Sequence, residues 1–132
     1  MKTEIQIYYE DTDCGGVVYY ANYLRFYERA RTDYLAALGL HPKELMSRGV
    51  MFAVVAAQAS YLKPARYGDT IVIESFITEV SKASFVFGYK VCNKETGELI
   101  NQGSTKIVAV DKNMKVWKLE PWFMKKISAV PK

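Results

Sequence analysis

Apolar and polar residues alternate from the start of the chain. Ile5 and Ile7 stand against Glu4 and Gln6, which predicts a strand over Thr3 to Tyr9. The period then changes. Tyr23, Phe26, Tyr27, Ala30, Tyr34 and Leu38 recur close to helical spacing, while Arg25, Glu28, Arg29, Arg31 and Asp33 take the opposite face. One long helix is therefore predicted over Asn22 to Leu38, with Asn22 as its N-cap and Gly39 just past its C-terminal end. A short second helix follows: Pro42 suits its first turn and Gly49 ends it.

Strand patterning then returns. Phe52 to Leu62 is apolar, small or β-branched almost throughout, the pattern of a strand buried on both faces. Pro64 and the Tyr67-Gly68-Asp69 group turn the chain into an Ile/Val/Phe-rich strand over Thr70 to Thr78. A polar turn at Ser81 to Ser84 precedes Phe85, Phe87, Tyr89 and Val91, which alternate along the next strand. Asn93 to Gly97 reads as a hairpin turn, Leu99 to Val110 as a long final strand, and Asp111 to Met114 as another turn. Pro121 to Ile127 can form a terminal helical turn. Successive strands joined by tight turns pair antiparallel, and a helix with one apolar stripe needs a sheet to cover it. The predicted class is α+β, a curved antiparallel sheet wrapped around one long central helix, in a single domain over residues 1–132. One such sheet leaves apolar edges and an open outer face, so self-association is expected.

Composition narrows the function classes. A net charge of +4 is mild, and the densest basic run, Lys125-Lys126, is too short for a nucleic-acid footprint. A solvated basic surface, or a polyphosphorylated small ligand, suits it better. Cys14 and Cys92 have no metal-ligand spacing and build no disulfide framework. Without a signal-peptide pattern or a membrane-length apolar run, the expected location is cytoplasmic, with no membrane insertion. Ten tyrosines are many for 132 residues, and Tyr favours half-buried clefts and subunit interfaces.

The candidate chemistry is concentrated in YYEDTDCGGVVYYANYLRFYERARTDYL, residues 8–35. A strand runs into an acidic turn, two glycines follow, and a helix opens. Asp13 is thereby set on a flexible turn near a helix N-terminus, whose N–H groups and dipole would hold a carboxylate ionised and aimed. Gly15 and Gly16 let the backbone pass close to a ligand. Asp11 reads as a turn-stabilising residue. The single histidine, His41, lies beyond the far end of the helix, which makes it a poor base for a Cys14 nucleophile.

This segment resembles the hotdog-fold acyl-CoA thioesterases, specifically the 4-hydroxybenzoyl-CoA thioesterase family and its YbgC-type, Tol–Pal-associated acyl-CoA thioester hydrolases. The likeness rests on residues 8–31 and continues more weakly through SYLKPARYGDTIVIE, residues 60–74, and SKASFVFGYKV, residues 81–91. It implies that Asp13 is the catalytic carboxylate, attacking the thioester carbonyl or activating a water that does. It implies that Tyr20, at a position that is His in many YbgC-type members, shapes the acyl site. Backbone amides near Gly16 or at Val50 and Met51 would polarise the carbonyl, and Lys82 and Ser84 would meet the phosphates of the coenzyme. Coenzyme A would enter as part of the substrate, with acyl-carrier protein as the other carrier, and no metal or separate cofactor is implied. The active site would lie between subunits of a dimer, commonly paired into a tetramer. Two other readings stand beside this one: a thioester-binding scaffold of an envelope-associated system, and a hydroxyacyl-thioester dehydratase. The second generally needs a His, and only His41 is present.

Overall fold

The computed structural model describes residues 1–128. Its first strand, β1, spans Lys2–Gln6. It is shorter than the sequence predicts because the Asp11 carboxylate accepts the Tyr8 N–H at 2.9 Å. That bond folds Tyr9–Asp11 into a single 3₁₀ turn in place of further strand. The long helix α1 covers Asn22–Ala37 and the short α2 Pro42–Ser47. The remaining strands are β2 Met51–Tyr61, β3 Thr70–Val80, β4 Ser84–Asn93 and β5 Leu99–Val110, and α3 spans Pro121–Ser128.

All five strands form one antiparallel sheet in the order β1-β3-β4-β5-β2, curved around α1. Register shifts in the β2–β5 and β3–β4 pairs add twist and bend to it. The helix buries Tyr23, Phe26, Tyr27, Ala30, Tyr34 and Leu35. Leu35 is buried in addition, and Leu38, which caps the helix just past Ala37, packs only partly buried against the core. Against the sheet, Tyr27 stacks on Tyr89 with ring centroids 4.2 Å apart, and Tyr34 meets Phe87 edge-on at 5.0 Å. Gly39, at φ +79°, closes the helix: its N–H reaches Ala36 O, and that of Leu40 reaches Leu35 O.

Two sequence expectations fail for physical reasons. Asn22 is the first helical residue and not the cap, because the chain already turns helically at Ala21. The Asn22 side chain instead donates to the Asp11 carbonyl at 2.8 Å, tying the helix to the acidic turn. Nor is β2 buried on both faces. It is an edge strand, paired only with β5, and Val54 and Val55 remain 49% and 57% exposed. Its apolar character is that of a surface awaiting a cover.

One polar chain crosses the core. Arg31 Nη1 donates to the Tyr89 hydroxyl at 3.2 Å, which pairs with Thr105 Oγ1 at 2.6 Å. Beside it the Tyr27 hydroxyl donates to Asn101 Oδ1, and Asn101 Nδ2 donates to Ser60 O at 3.0 Å. Gly103 makes room for this chain, since a Cβ there would lie 2.6 Å from the Tyr27 hydroxyl oxygen. Every buried side-chain nitrogen and oxygen among the described residues thus has a hydrogen-bond partner.

Candidate active site

Asp13 sits on an exposed tight turn between the 3₁₀ turn and α1. Its N–H donates to Val17 O, and the Gly16 N–H donates to Asp13 O. Gly16 holds φ +79°, which a side chain would strain. One carboxylate oxygen, Oδ1, accepts the Gly15 N–H at 2.8 Å. That short-range bond, and not the helix N-terminus, orients the carboxylate. The helix begins nine residues later in the chain, so its first N–H groups serve Tyr19, Tyr20 and Ala21 carbonyls instead. The second oxygen, Oδ2, has no hydrogen bond among the described residues.

The turn is pinned to the segment after β2. Val17 bridges Arg66, and the Val18 N–H donates to Ala65 O at 2.8 Å. This brings the C-terminal end of β2 alongside. Tyr61 donates its hydroxyl to Tyr20 O at 3.3 Å, and their rings stand 6.1 Å apart, edge to face. Tyr20 is itself 59% exposed and lies 4.7 Å from the Tyr19 ring. Contact with the Tyr20 hydroxyl raises the Tyr19 pKa, and the Asp13 charge adds to the rise. Tyr9 and Tyr67 meet edge-on at 5.9 Å nearby. The chain's tyrosines thus divide cleanly. Tyr23, Tyr27, Tyr34 and Tyr89 are buried, while Tyr8, Tyr9, Tyr19, Tyr20, Tyr61 and Tyr67 are exposed. Sequence reading singled out Tyr20 and missed Tyr61 and Tyr67. Only the abundance of tyrosine hinted at them.

The other candidates lie at the opposite end of the sheet. Met51 pairs with Val110 and Ser84 with Val108, whereas Tyr61 pairs with Asn101. Val50 is buried, and its N–H is already given to Leu45 O at 2.9 Å, closing the end of α2. It is therefore no free donor, which leaves Met51 of that pair. Lys82 is exposed in the β3–β4 turn, and its carbonyl accepts the Leu119 N–H at 2.8 Å. Ser84 is half-buried at the start of β4. Ten residues of β2 separate Met51 from Tyr61, about 33 Å of strand. One chain therefore holds Asp13, Gly16 and Tyr20 together, and Val50, Met51, Lys82 and Ser84 together, but keeps the two groups apart.

His41 caps α2, past the C-terminal end of α1, whereas Asp13 precedes the start of that helix. Cys14 is exposed beside Asp13 with no imidazole near it in the chain. Among the described residues no cluster of His, Cys, Asp and Glu is arranged to hold a metal ion, and no helix is long and apolar enough to cross a membrane.

A strand, an acid-bearing turn and a helix wrapped by a five-stranded sheet invite comparison with known proteins. The family model described as the thioesterase superfamily matches residues 15–100. The chain belongs to the thioesterase superfamily. Thioester hydrolysis is accordingly its chemistry, and the sheet around α1 is the hotdog fold. The chain is 41% identical over 107 residues to the acyl-CoA thioester hydrolase YbgC of Escherichia coli O6:H1, a match covering 81% of this chain and 79% of the relative. It is 34% identical over 108 residues to the acyl-CoA thioesterase YbgC of Haemophilus influenzae, covering 81% and 78%. Among solved structures, the 1,4-dihydroxy-2-naphthoyl-CoA thioesterase of Synechocystis superposes with a TM-score of 0.89 at 25% identity, over 98% of this chain and 96% of that one.

Proposed function

We propose that this thioesterase hydrolyses acyl-CoA to a free carboxylic acid and coenzyme A, with Asp13 as the catalytic carboxylate, in the cytoplasm and as a single domain. The observation that carries the substrate class is the 41% identity to a relative named for acyl-CoA thioester hydrolysis. The chemistry asks little of the residues. A thioester is already activated, so an oriented carboxylate and one donor at the developing oxyanion suffice. The Gly15 N–H fixes Oδ1 of Asp13 and leaves Oδ2 to attack the carbonyl or to take a proton from water. No metal or separate cofactor enters the scheme. The exposed tyrosines around the turn, Tyr20 first among them, wall the acyl group.

A second copy of the chain completes the site in this reading. Edge strand β2 offers its outer N–H and C=O groups and an apolar stripe at Val54 and Val55. Antiparallel pairing of two β2 strands about a two-fold axis near Ala56 sets Met51 of each copy opposite Tyr61 of the other. The main-chain donor at Met51, with Lys82 and Ser84 behind it for the coenzyme's phosphates, then arrives beside Asp13 and Gly16 of the partner. The separation within one chain is what supports a shared site. The same carboxylate and donor would serve a thioester carried on acyl-carrier protein, which presents the same reacting group.

The test is thiol release from a panel of acyl-CoAs, short aliphatic through long-chain and aryl, by the native protein and by Asp13→Asn. Turnover of part of the panel, reduced at least about a hundredfold in the variant, is the expected result. Equal rates in both proteins would remove Asp13 from the mechanism.

A further inference from the structure

A row of tyrosine rings runs from the acidic turn to the core, and one of its members stands on the sheet. Tyr61 is the last residue of β2, set opposite Asn101 by the antiparallel register. Its ring lies between two others. The exposed Tyr20 ring is 6.1 Å away on one side, and the buried Tyr23 ring is 5.7 Å away on the other. Tyr19 extends the row, 4.7 Å beyond Tyr20, and its N–H is bound to Asp11 O in the acidic turn at 3.0 Å. Each step is within the range of an aromatic pair, so the row is continuous. It fills the gap between the entry of α1 and the end of β2.

Tyr61 is held from both sides. Its hydroxyl donates to Tyr20 O at 3.3 Å, and the same carbonyl accepts the Tyr23 N–H of the first turn of α1 at 3.3 Å. Behind it, Ser60 O accepts Asn101 Nδ2 at 3.0 Å, and Asn101 accepts the buried Tyr27 hydroxyl. The Tyr61 side chain is 49% exposed all the same, so water can replace its hydroxyl bond. That bond therefore adds little to stability. What it fixes is where Tyr20 and Tyr61 stand relative to each other.

The rest of β2 shows what the ring closes off. By alternation Ala57 and Ala59 share the inward face of the strand with Tyr61. Both are small, Ala57 is exposed and Ala59 only half-buried, so this strip has room. Tyr61 is the first bulky side chain on that face after the register shift at Val54–Ala56. An acyl chain that passes Tyr20 on its way to the strip over Ala59 and Ala57 meets the Tyr61 ring first.

We infer that Tyr61 is a specificity-determining residue, its ring closing the acyl site behind Tyr20 and restricting it to short acyl groups. The inference rests on acyl-CoA hydrolysis at Asp13 and deepens that reading.

The probes are butyryl-CoA and decanoyl-CoA, with the full-length native protein, Tyr61→Ala and Tyr61→Phe. The native protein should favour butyryl-CoA in kcat/KM. Tyr61→Ala should narrow that preference at least about tenfold, by raising kcat/KM for decanoyl-CoA. Tyr61→Phe keeps the ring and frees Tyr20, and should narrow it by less. A merely structural role would lower both substrates alike and leave their ratio unchanged, which would overturn the inference, as would a native preference for decanoyl-CoA. Tyr61→Leu replaces Tyr61→Ala if that variant does not fold. Calorimetry with the thioethers S-butyl-CoA and S-decyl-CoA makes the same comparison without turnover. A shift of thioether selectivity in Tyr61→Ala, in a protein that hydrolyses neither ester, would uphold the Tyr61 wall and refute the hydrolase. An unchanged thioether selectivity would overturn the wall whatever the turnover.

Discussion

Removing the Asn101 amide while keeping its bulk, as Asn101→Leu, strikes the polar chain beneath the candidate site. Two groups lose their partner: the Tyr27 hydroxyl and the Ser60 carbonyl. Asn101 and Tyr27 are fully buried, so solvent cannot replace the bond between them, while Ser60 is half-buried. An unsatisfied buried group costs about 1–3 kcal/mol, which gives about 2–6 kcal/mol as the upper range for the two. Tyr27→Phe alone strands only Asn101 Oδ1 and should cost about 1–3 kcal/mol. In the double variant the Tyr27–Asn101 pair is gone from both sides and Ser60 O alone is orphaned. The loss should then fall short of the sum of the single losses by the two groups of that pair, about 2–6 kcal/mol. The assay is urea unfolding at one fixed protein concentration, because self-association would make stability concentration-dependent. Additivity within about 0.5 kcal/mol would refute the view that these two side chains act as one buried unit.

Gly103→Ala should destabilise more than Gly88→Ala. The new Cβ meets the Gln58 backbone carbonyl and the Tyr27 hydroxyl in the first case, but only the Phe76 ring in the second, and a ring can shift. Equal unfolding midpoints would contradict this. Burial pushes Tyr23 up to about 12, the hydrogen bond from the Ala65 backbone N–H opposing it, and burial raises Tyr27 and Tyr89 as well. Below pH 10 these hydroxyls keep their protons in both states and their contribution is complete. Between pH 10 and 12 the unfolded chain ionises first, so stability should fall as pH rises, by at most about 1.4 kcal/mol per pH unit for each such group. Tyr23→Phe should flatten that fall, and an unchanged slope in the variant would refute the assignment. Val55→Lys puts a charge on the open edge of β2. It should raise the self-dissociation constant at least about a hundredfold by sedimentation and lower turnover with it, whereas full activity in a monomer would exclude a shared site.

Elements with a strong period were legible in the sequence. The stripe from Tyr23 to Tyr34 marked α1, and the alternation at Phe85, Phe87, Tyr89 and Val91 marked a strand covered on one face. Gly39 and Gly49 ended helices where a positive φ is needed. What escaped was set by contacts distant in sequence. An unbroken apolar run reads alike in a central strand and in an edge strand that a partner covers, so β2 was misplaced. Asn22 has the chemistry of a cap, but the Asp11 carbonyl competes for its amide. The acidic turn was recognisable as a motif, yet the bond that orients Asp13 runs to Gly15 and not to the helix. The tie between Tyr61 and Tyr20 could not be read at all, since the two lie 41 positions apart in the chain and a hydroxyl-to-carbonyl bond leaves no pattern.

The strand order carries a further consequence, for the birth of the protein on the ribosome. β2 is the first long strand made, yet its only neighbour in the sheet is β5, the last. After Tyr61 emerges, synthesis must continue to Val110 before the ladder from Met51–Val110 to Tyr61–Asn101 can close. At about 5–20 residues per second that leaves an apolar strand unpaired for roughly 2 to 10 s. Such non-local pairing is also slow to form once the chain is complete. The nascent chain thus has both edges of β2 open in this interval, and a trailing ribosome on the same message holds an identical strand. Co-translational encounter of two β2 segments, before either β5 exists, is the hazard this topology creates, and it is where a chaperone would be needed.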